Sequence, residues 1–346
     1  MINSIEIFLS FITAFLVCFF AIPSIIKVSH LKNLHDDPDE DRKIHQNSIP
    51  NLGGLAIFAG LIFSATFWAN SLEWKDLQYI INALLILFFI GLKDDLVKLS
   101  APKKLLGQIL AAIIIIFFTD LKFTSFYGLF GIFDIPYYVS WTITLFFIVG
   151  VTNAFNLIDG IDTLAAMLGI MTCASFGIWF YLAQYHHYSL LAFCLSGSLL
   201  AFLYFNWSPA KIFMGDTGSL ILGLSSAIMA IKFIESNRFL SSHEYYKVYS
   251  SPAVAAGILM VPILDTIRVF FERIINRRSP FYPDKRHLHH LALGKGWSHV
   301  KSSLIITGYN SLIILMVFNL QLKQGELTLG IILLFYVFFV YYLKRK

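Results

Sequence analysis

Ile7-Phe-Leu-Ser-Phe-Ile-Thr-Ala-Phe-Leu-Val-Cys-Phe-Phe-Ala-Ile-Pro-Ser-Ile-Ile26 passes without one charged side chain. About 20 consecutive apolar residues are what a helix needs to cross the roughly 30 Å hydrocarbon core of a bilayer. A strand of a soluble core is several-fold shorter. The same kind of block returns at the other end of the chain, from Leu327 to Leu343. Composition agrees, since 57% of the 346 residues are hydrophobic and only 14% are charged, against roughly 45 to 50% apolar in a soluble domain. Water cannot be the solvent for most of this surface. The fold class that follows is an all-α membrane protein, a polytopic bundle of about eleven transmembrane helices forming a single transmembrane domain over 1–346.

Hydropathy places the spans near 5–27, 52–70, 78–92, 103–119, 137–152, 163–183, 189–205, 218–234, 253–272, 302–320 and 327–343. Alternate connections fall on opposite sides, and the basic residues sort onto one set. Lys27, Lys32, Arg42, Lys43, Lys93, Lys98, Lys103, Lys104, Lys211, Arg273, Arg277, Arg278, Lys285, Arg286, Lys295 and the Lys344-Arg345-Lys346 tail share one side, while Lys75, Lys122, Arg238, Lys247 and Lys323 share the other. The positive-inside rule makes the first set cytoplasmic, with the amino terminus outside and the carboxyl terminus inside. The amino-terminal block is too long, and too poor in preceding basic residues, for a cleaved signal peptide, so it reads as a retained span. On the outer side, Leu121 to Pro136 alternates aromatic and polar residues around Gly128 and Gly131, the pattern of a small hairpin.

The net charge of +5 has no basic stripe interleaved with aromatics, so no nucleic-acid partner is expected. Cys18, Cys173 and Cys194 lie inside apolar blocks without metal-ligand spacing, which excludes a disulfide framework or a zinc site.

Polar groups gather instead in the inner connections. Asp94-Asp95 ends the third span, with Lys98 at i, i+4 from Asp94; the pair could hold a cation or poise a base, and alone it reads equally well as an interfacial cap with a helix salt bridge. Asn153, Asn156, Asp159 and Asp162 are spaced by three, and a helix would align them as one oxygen-rich stripe. Hard oxygens without neighbouring sulfur or imidazole suit magnesium, which takes few protein ligands plus substrate phosphate oxygens. Phe213-Met-Gly-Asp-Thr-Gly-Ser219 opens the eighth span, with Asp216 near the N-cap and glycines that let an anion approach the first N–H groups; capping and function are equally good readings of that segment. The longest inner connection carries Arg286, His287, His289 and His290 among further cations, a density suited to a diphosphate. In the first inner connection Arg42, Lys43 and His45 are the expected phosphate contacts beside the acidic 36–41 run. Asp265, two turns inside the ninth span with Arg268 at i+3, reads first as an intramembrane ion pair and second as support for the site.

Taken in chain order, Arg42-Lys-Ile-His45, Ile49-Pro-Asn-Leu-Gly-Gly54, Asp94-Asp95, Asn153-Ala-Phe-Asn-Leu-Ile-Asp-Gly-Ile-Asp162, Phe213-Met-Gly-Asp-Thr-Gly-Ser219 and His287-Leu-His-His290 resemble the polyprenyl-phosphate N-acetylhexosamine-1-phosphate transferases. The resemblance spans nearly the whole chain. It is greater to the branch that starts O-antigen, enterobacterial common antigen or teichoic acid linkage units than to the peptidoglycan branch. One departure is Thr163, where that family commonly has glycine.

Membership implies transfer of a sugar 1-phosphate from a UDP-sugar, with UDP-GlcNAc the expected donor, to undecaprenyl phosphate with release of UMP. It also implies a magnesium cofactor, with manganese as the alternative ion, and permits a homodimer. By the family's pattern Asn156 and Asp216 match the metal ligands, and Phe213 matches the ring stacked on uracil. Asp94 matches the base or lipid-phosphate positioning group, with Asp95 and Lys98 beside it. Asp159 and Asp162 match nucleotide-side contacts, Asn153 joins them as a substrate contact, and the histidines match a pyrophosphate motif. The rival class is a transporter or flippase, whose polar site would lie near the bilayer midplane on broken helices.

Overall fold

The computed structural model of the chain describes residues 2–32, 49–69, 74–241, 243–277, 285–320 and 322–345. Its elements are helices: α1 (Ser4–Lys32), α2 (Gly53–Trp68), α3 (Leu77–Leu96), α4 (Ala101–Phe118), α5 (Tyr137–Ile158), α6 (Leu164–Leu182), α7 (His186–Asn206), α8 (Gly215–Arg238), α9 (Ser251–Ile258), α10 (Met260–Ile275), α11 (Leu288–Gly294), α12 (His299–Leu320) and α13 (Gly325–Lys344). Among the described residues nine helices are long and apolar enough to cross a membrane, and each coincides with an expected span.

Two of the eleven expected spans differ from a simple crossing. The second, α2, has 16 residues, about 24 Å at 1.5 Å per residue, and falls short of the hydrocarbon thickness. The ninth is broken, with α9 and α10 meeting at 80°. Pro262 accounts for the break locally, because it has no N–H to give the carbonyl four residues back, that of Ile258. Asn310 of α12 donates to that orphaned carbonyl instead, at 3.2 Å, as irregular backbone inside a membrane protein requires.

Helix α8 is the axis of the bundle and is buried over almost its whole length. Lipid tails are as apolar as leucine, so helices in a membrane gain most from close backbone approach across small residues. Helix α8 supplies them. A Cβ on Gly54 of α2 would lie 2.2 Å from the Gly218 nitrogen, and one on Gly91 of α3 would lie 2.5 Å from the Thr217 Cα. The backbone of 50–54 also pairs directly with 213–214: Phe213 N donates to Pro50 O at 2.9 Å, Gly53 N to Phe213 O at 2.9 Å and Gly54 N to Met214 O at 2.8 Å. These bonds satisfy donors at the start of α2 that no helical carbonyl can reach.

At the opposite end of α8 the expected hairpin is present as a single bridge, Ser125 to Asp134, without extended strands among the described residues. Glu235 of α8 holds it, accepting from the Thr124 N–H at 2.9 Å, the Thr124 hydroxyl at 2.7 Å and the Tyr127 hydroxyl at 2.6 Å. All three cysteines are buried and not disulfide-bonded.

Candidate active site

Several helix ends meet where α8 begins. Gly215 has φ +71°, and a Cβ there would lie 2.2 Å from the Asn51 carbonyl oxygen and 2.7 Å from Asp95 Oδ1, so a side chain has neither the conformation nor the room. The next two N–H groups donate to Asp95 of α3: Asp216 N to Oδ1 at 2.6 Å and Thr217 N to Oδ2 at 3.0 Å, with the Thr217 hydroxyl adding a third bond at 2.6 Å. A helix N-terminus offers unpaired donors and partial positive charge, and here a neighbouring helix supplies the anion. That corrects the expectation that these N–H groups face a bound ligand. Asp95, expected among the catalytic residues, is the anchor of α8.

Asp216 sits in the same first turn. Its Oδ2 accepts from the Lys104 ammonium and its Oδ1 from the Asn156 amide. The same ammonium lies 3.3 Å from Asp94 Oδ2 and 3.3 Å from Asn156 Oδ1. Oxygens from α3, α5 and α8 are therefore directed at one cationic centre that α4 provides. Asn156 also donates to Ser219 Oγ at 2.9 Å, and it is the acceptor-only carboxylate of Asp216 that selects the amide nitrogen for that side.

Lys104 is the site residue that motif reading did not single out. Its sequence signal is electrostatic: Lys103 and Lys104 stand in the first turn of α4 behind Pro102, where positive charge opposes the helix dipole. Lys98 lines the cleft and lies beyond the end of α3, which stops at Leu96 with Val97 extended. Asp94 accepts from the Leu99 N–H and from Lys104.

The spaced Asn and Asp residues are not one helical stripe. Helix α5 stops at Ile158, leaving Asn153 and Asn156 on the helix and Asp159 and Asp162 in the turn to α6. Asn153 faces away from the cleft, in a reciprocal amide pair with Gln108 of α4 at 2.7 and 3.1 Å. It ties two helices together where a substrate contact was expected. Asp159 and Asp162 do line the cleft. Burial, and then the charges of Asp216, Asp95 and Asp162, push the Asp159 carboxyl up to about 7.

Thr163 follows at φ +72°, its N–H donating to Asn206 Oδ1 at 2.7 Å and its buried hydroxyl without a partner. A β-branched residue in the left-handed region costs about 1–2 kcal/mol, which explains why glycine suits this position. Thr163→Gly is expected to leave turnover unchanged and to hold or raise the thermal midpoint. A lower midpoint would mean that the threonine methyl packs well enough to outweigh the strain.

The histidine cluster splits three ways. His287 is buried, and its Nδ1 lies 2.8 Å from Asp265 Oδ2. Asp265 also accepts from the Leu288 N–H at 3.2 Å and from Arg268 Nη2 at 2.7 Å, so it forms the expected ion pair and also fixes the start of α11. His289 is buried behind Gly160, where a Cβ would come 2.3 Å from its Nε2. Burial, then His290 and His287, push this imidazole down to about 3, so it works as a neutral ring. His290 faces a separate hollow with Lys295, Trp297 and Tyr342. Arg286 offers its carbonyl to Arg268 at 2.6 Å. Arg42 and His45 lie outside the described residues.

Over Asp94, Asn156 and Asp216 opens a cleft of about 420 Å³, whose walls include Lys98, Asp159, Asp162, Asn206, Phe213 and His299. Phe213 is 36% exposed and presents an aromatic ring to the cleft. Magnesium fits the donors on the floor. Three oxygens already converge on one positive charge, none of the contacting atoms is sulfur or imidazole, and the small protein ligand set leaves positions for water and phosphate.

Residues 77–234, from α3 to α8, match the family described as Glycosyl transferase family 4, and the chain belongs to that family. It is 33% identical over 339 residues to the probable undecaprenyl-phosphate N-acetylglucosaminyl 1-phosphate transferase of Bacillus subtilis strain 168, covering 96% of this chain and 89% of that protein. The undecaprenyl-phosphate alpha-N-acetylglucosaminyl 1-phosphate transferase of Escherichia coli strain K12 is 29% identical over 310 residues, 88% of this chain and 79% of its own length. The decaprenyl-phosphate N-acetylglucosaminephosphotransferase of Mycobacterium leprae is 32% identical over 288 residues, 77% and 72%.

Proposed function

We propose that the protein transfers N-acetylglucosamine 1-phosphate from its UDP-sugar to undecaprenyl phosphate, releasing UMP and starting a cell-surface polysaccharide. The observation that carries the reading is the convergence of Asp94, Asn156 and Asp216 on one cationic centre at the end of the bundle that also holds the basic connections. The relatives' printed names supply the lipid phosphate and the sugar. In this reading the cleft faces the cytoplasm of a bacterial cell, the amino terminus lies outside and the carboxyl terminus inside. Transport is the weaker reading, because the polar groups sit at helix ends and not at mid-membrane.

Asn156 and Asp216 would hold magnesium. When bound there, it supplies charge neutralisation to the donor diphosphate. The Phe213 ring offers a stacking face for uracil. A lipid phosphate oxygen forms the new bond to the sugar-bearing phosphorus, and the bond from that phosphorus to the bridging oxygen breaks, its electron pair leaving with UMP. A phosphate monoester has a second pKa of about 6, so the nucleophile is already largely dianionic at neutral pH. Asp94 already accepts from Leu99 N–H and Lys104, an arrangement suited to orienting Lys104 and the incoming phosphate more than to taking a proton.

Asp94→Asn is accordingly expected to lower turnover on the order of a hundredfold or more without recovery at high pH. Large alkaline rescue would identify proton transfer as its task. The reading as a whole is tested by UMP release from UDP-GlcNAc in the presence of undecaprenyl phosphate, using detergent-purified protein with and without magnesium. Failure with every UDP-sugar, together with measurable solute flux in vesicles, would replace it with transport.

A further inference from the structure

One wall of the cleft carries a residue that no motif includes. His299 opens α12, lines the cleft, and places its Nδ1 3.2 Å from Asp162 Oδ1, with the imidazole side chain 44% exposed and the carboxylate 10% exposed. The Nδ1 atom is buried and makes no hydrogen bond, so the carboxylate is its one ion-pair neighbour recorded among the described residues. The contact is held from behind, since the Ser303 hydroxyl, one turn along α12, donates to the Asp162 carbonyl at 2.8 Å.

The charge balance of the cleft gives this pair a role. Asp95 is occupied by the start of α8, and Asp94 and Asp216 share Lys104. On the opposite wall Asp159 and Asp162 would repel an anionic ligand unless a donor stood between them and it. His299 is placed to be that donor.

We propose that His299 is a donor-substrate contact: one edge of its imidazole is held by Asp162, and the other edge donates from Nε2 to a diphosphate oxygen of the UDP-sugar. A bond from an imidazole N–H to a phosphate oxygen is charge-assisted, because the acceptor is an anion. Such charge-assisted bonds are about twice as strong as neutral ones. The inference rests on the transferase reading above and assigns a diphosphate contact within it.

The test compares wild-type protein with His299→Gln, His299→Ala and His299→Arg in steady-state assays of UMP release, with UDP and uridine as competitive inhibitors. For His299→Ala the KM for UDP-GlcNAc and the inhibition constant for UDP are expected to rise about tenfold, the typical effect of one lost bond to a charged group. The KM for undecaprenyl phosphate and the inhibition constant for uridine should stay at wild-type values. His299→Arg should recover most of the UDP affinity by restoring a cation, and His299→Gln should fall between the two.

Unchanged UDP inhibition in His299→Ala would overturn the proposal, as would equal weakening of UDP and uridine, which places the contact on the nucleoside. A wild-type protein that releases no UMP would defeat the transferase reading itself, an outcome distinct from either.

Discussion

Asp216→Asn is expected to reduce turnover on the order of a thousandfold at saturating magnesium while the yield of folded protein stays at the wild-type level. The carboxylate contributes charge and two acceptor oxygens at the point where Lys104 and Asn156 meet. An amide of the same shape keeps the packing, removes the charge, and turns one acceptor into a donor aimed at an ammonium or an amide. Oriented charges of this kind, removed singly, cost catalysis about a hundred- to a thousandfold, and in the proposed magnesium site the lost ligand would add to that. The fold is spared because Asp216 anchors α8 through its backbone N–H, which the substitution leaves in place. Near-normal turnover of Asp216→Asn would remove this side chain from the ligand set.

Asp95→Ala should fail in the opposite manner, through the fold. Its carboxylate satisfies two N–H groups and one hydroxyl at the start of the most buried helix, and hydrogen bonds to charged groups contribute about 1.5–3 kcal/mol each. Removing the acceptor leaves those donors unpaired beside the positive end of a helix dipole. A loss on the order of 3–5 kcal/mol is a large part of the roughly 5–15 kcal/mol that separates a typical folded protein from its unfolded state. The expected result is a reduced monodisperse yield and a lower thermal midpoint in detergent, with Asp95→Asn intermediate because its amide keeps one acceptor oxygen. A wild-type midpoint for Asp95→Ala would show that α8 is positioned by other contacts, and the residue would return to the catalytic list.

The two carboxylates are separated in role by geometry that their adjacency conceals. Asp94 and Asp95 are neighbours at the end of α3, and from sequence they form one acidic pair. About 100° of helical rotation between consecutive residues sends one side chain to Lys104 and the other to the backbone of α8. The same geometry separates Asn153 from Asn156. Three residues along a helix bring two amides to neighbouring positions on its surface, and the helices packed beside α5 decide that one meets Gln108 and the other meets Asp216. Lys104 reads in the sequence as part of a basic connection, yet two carboxylates and one amide oxygen, from three helices, converge on it.

The sequence by itself determined the membrane class, the positions of the spans and the end of the bundle that carries the polar groups. These follow from properties that act along the chain: apolar length against the thickness of a bilayer, alternation of connections, and residue types suited to one chemistry. Only the tertiary structure decided that α2 falls short of a crossing, that the ninth span bends at 80° with Asn310 at the freed carbonyl, and that Asp95 meets the backbone of α8 while Asp216 meets Lys104 and Asn156. It alone brought His299 against Asp162. A contact between residues more than a hundred positions apart depends on which helix faces lie together, and in a membrane that is set by where small residues let backbones approach, a property shared between two helices and visible in neither alone.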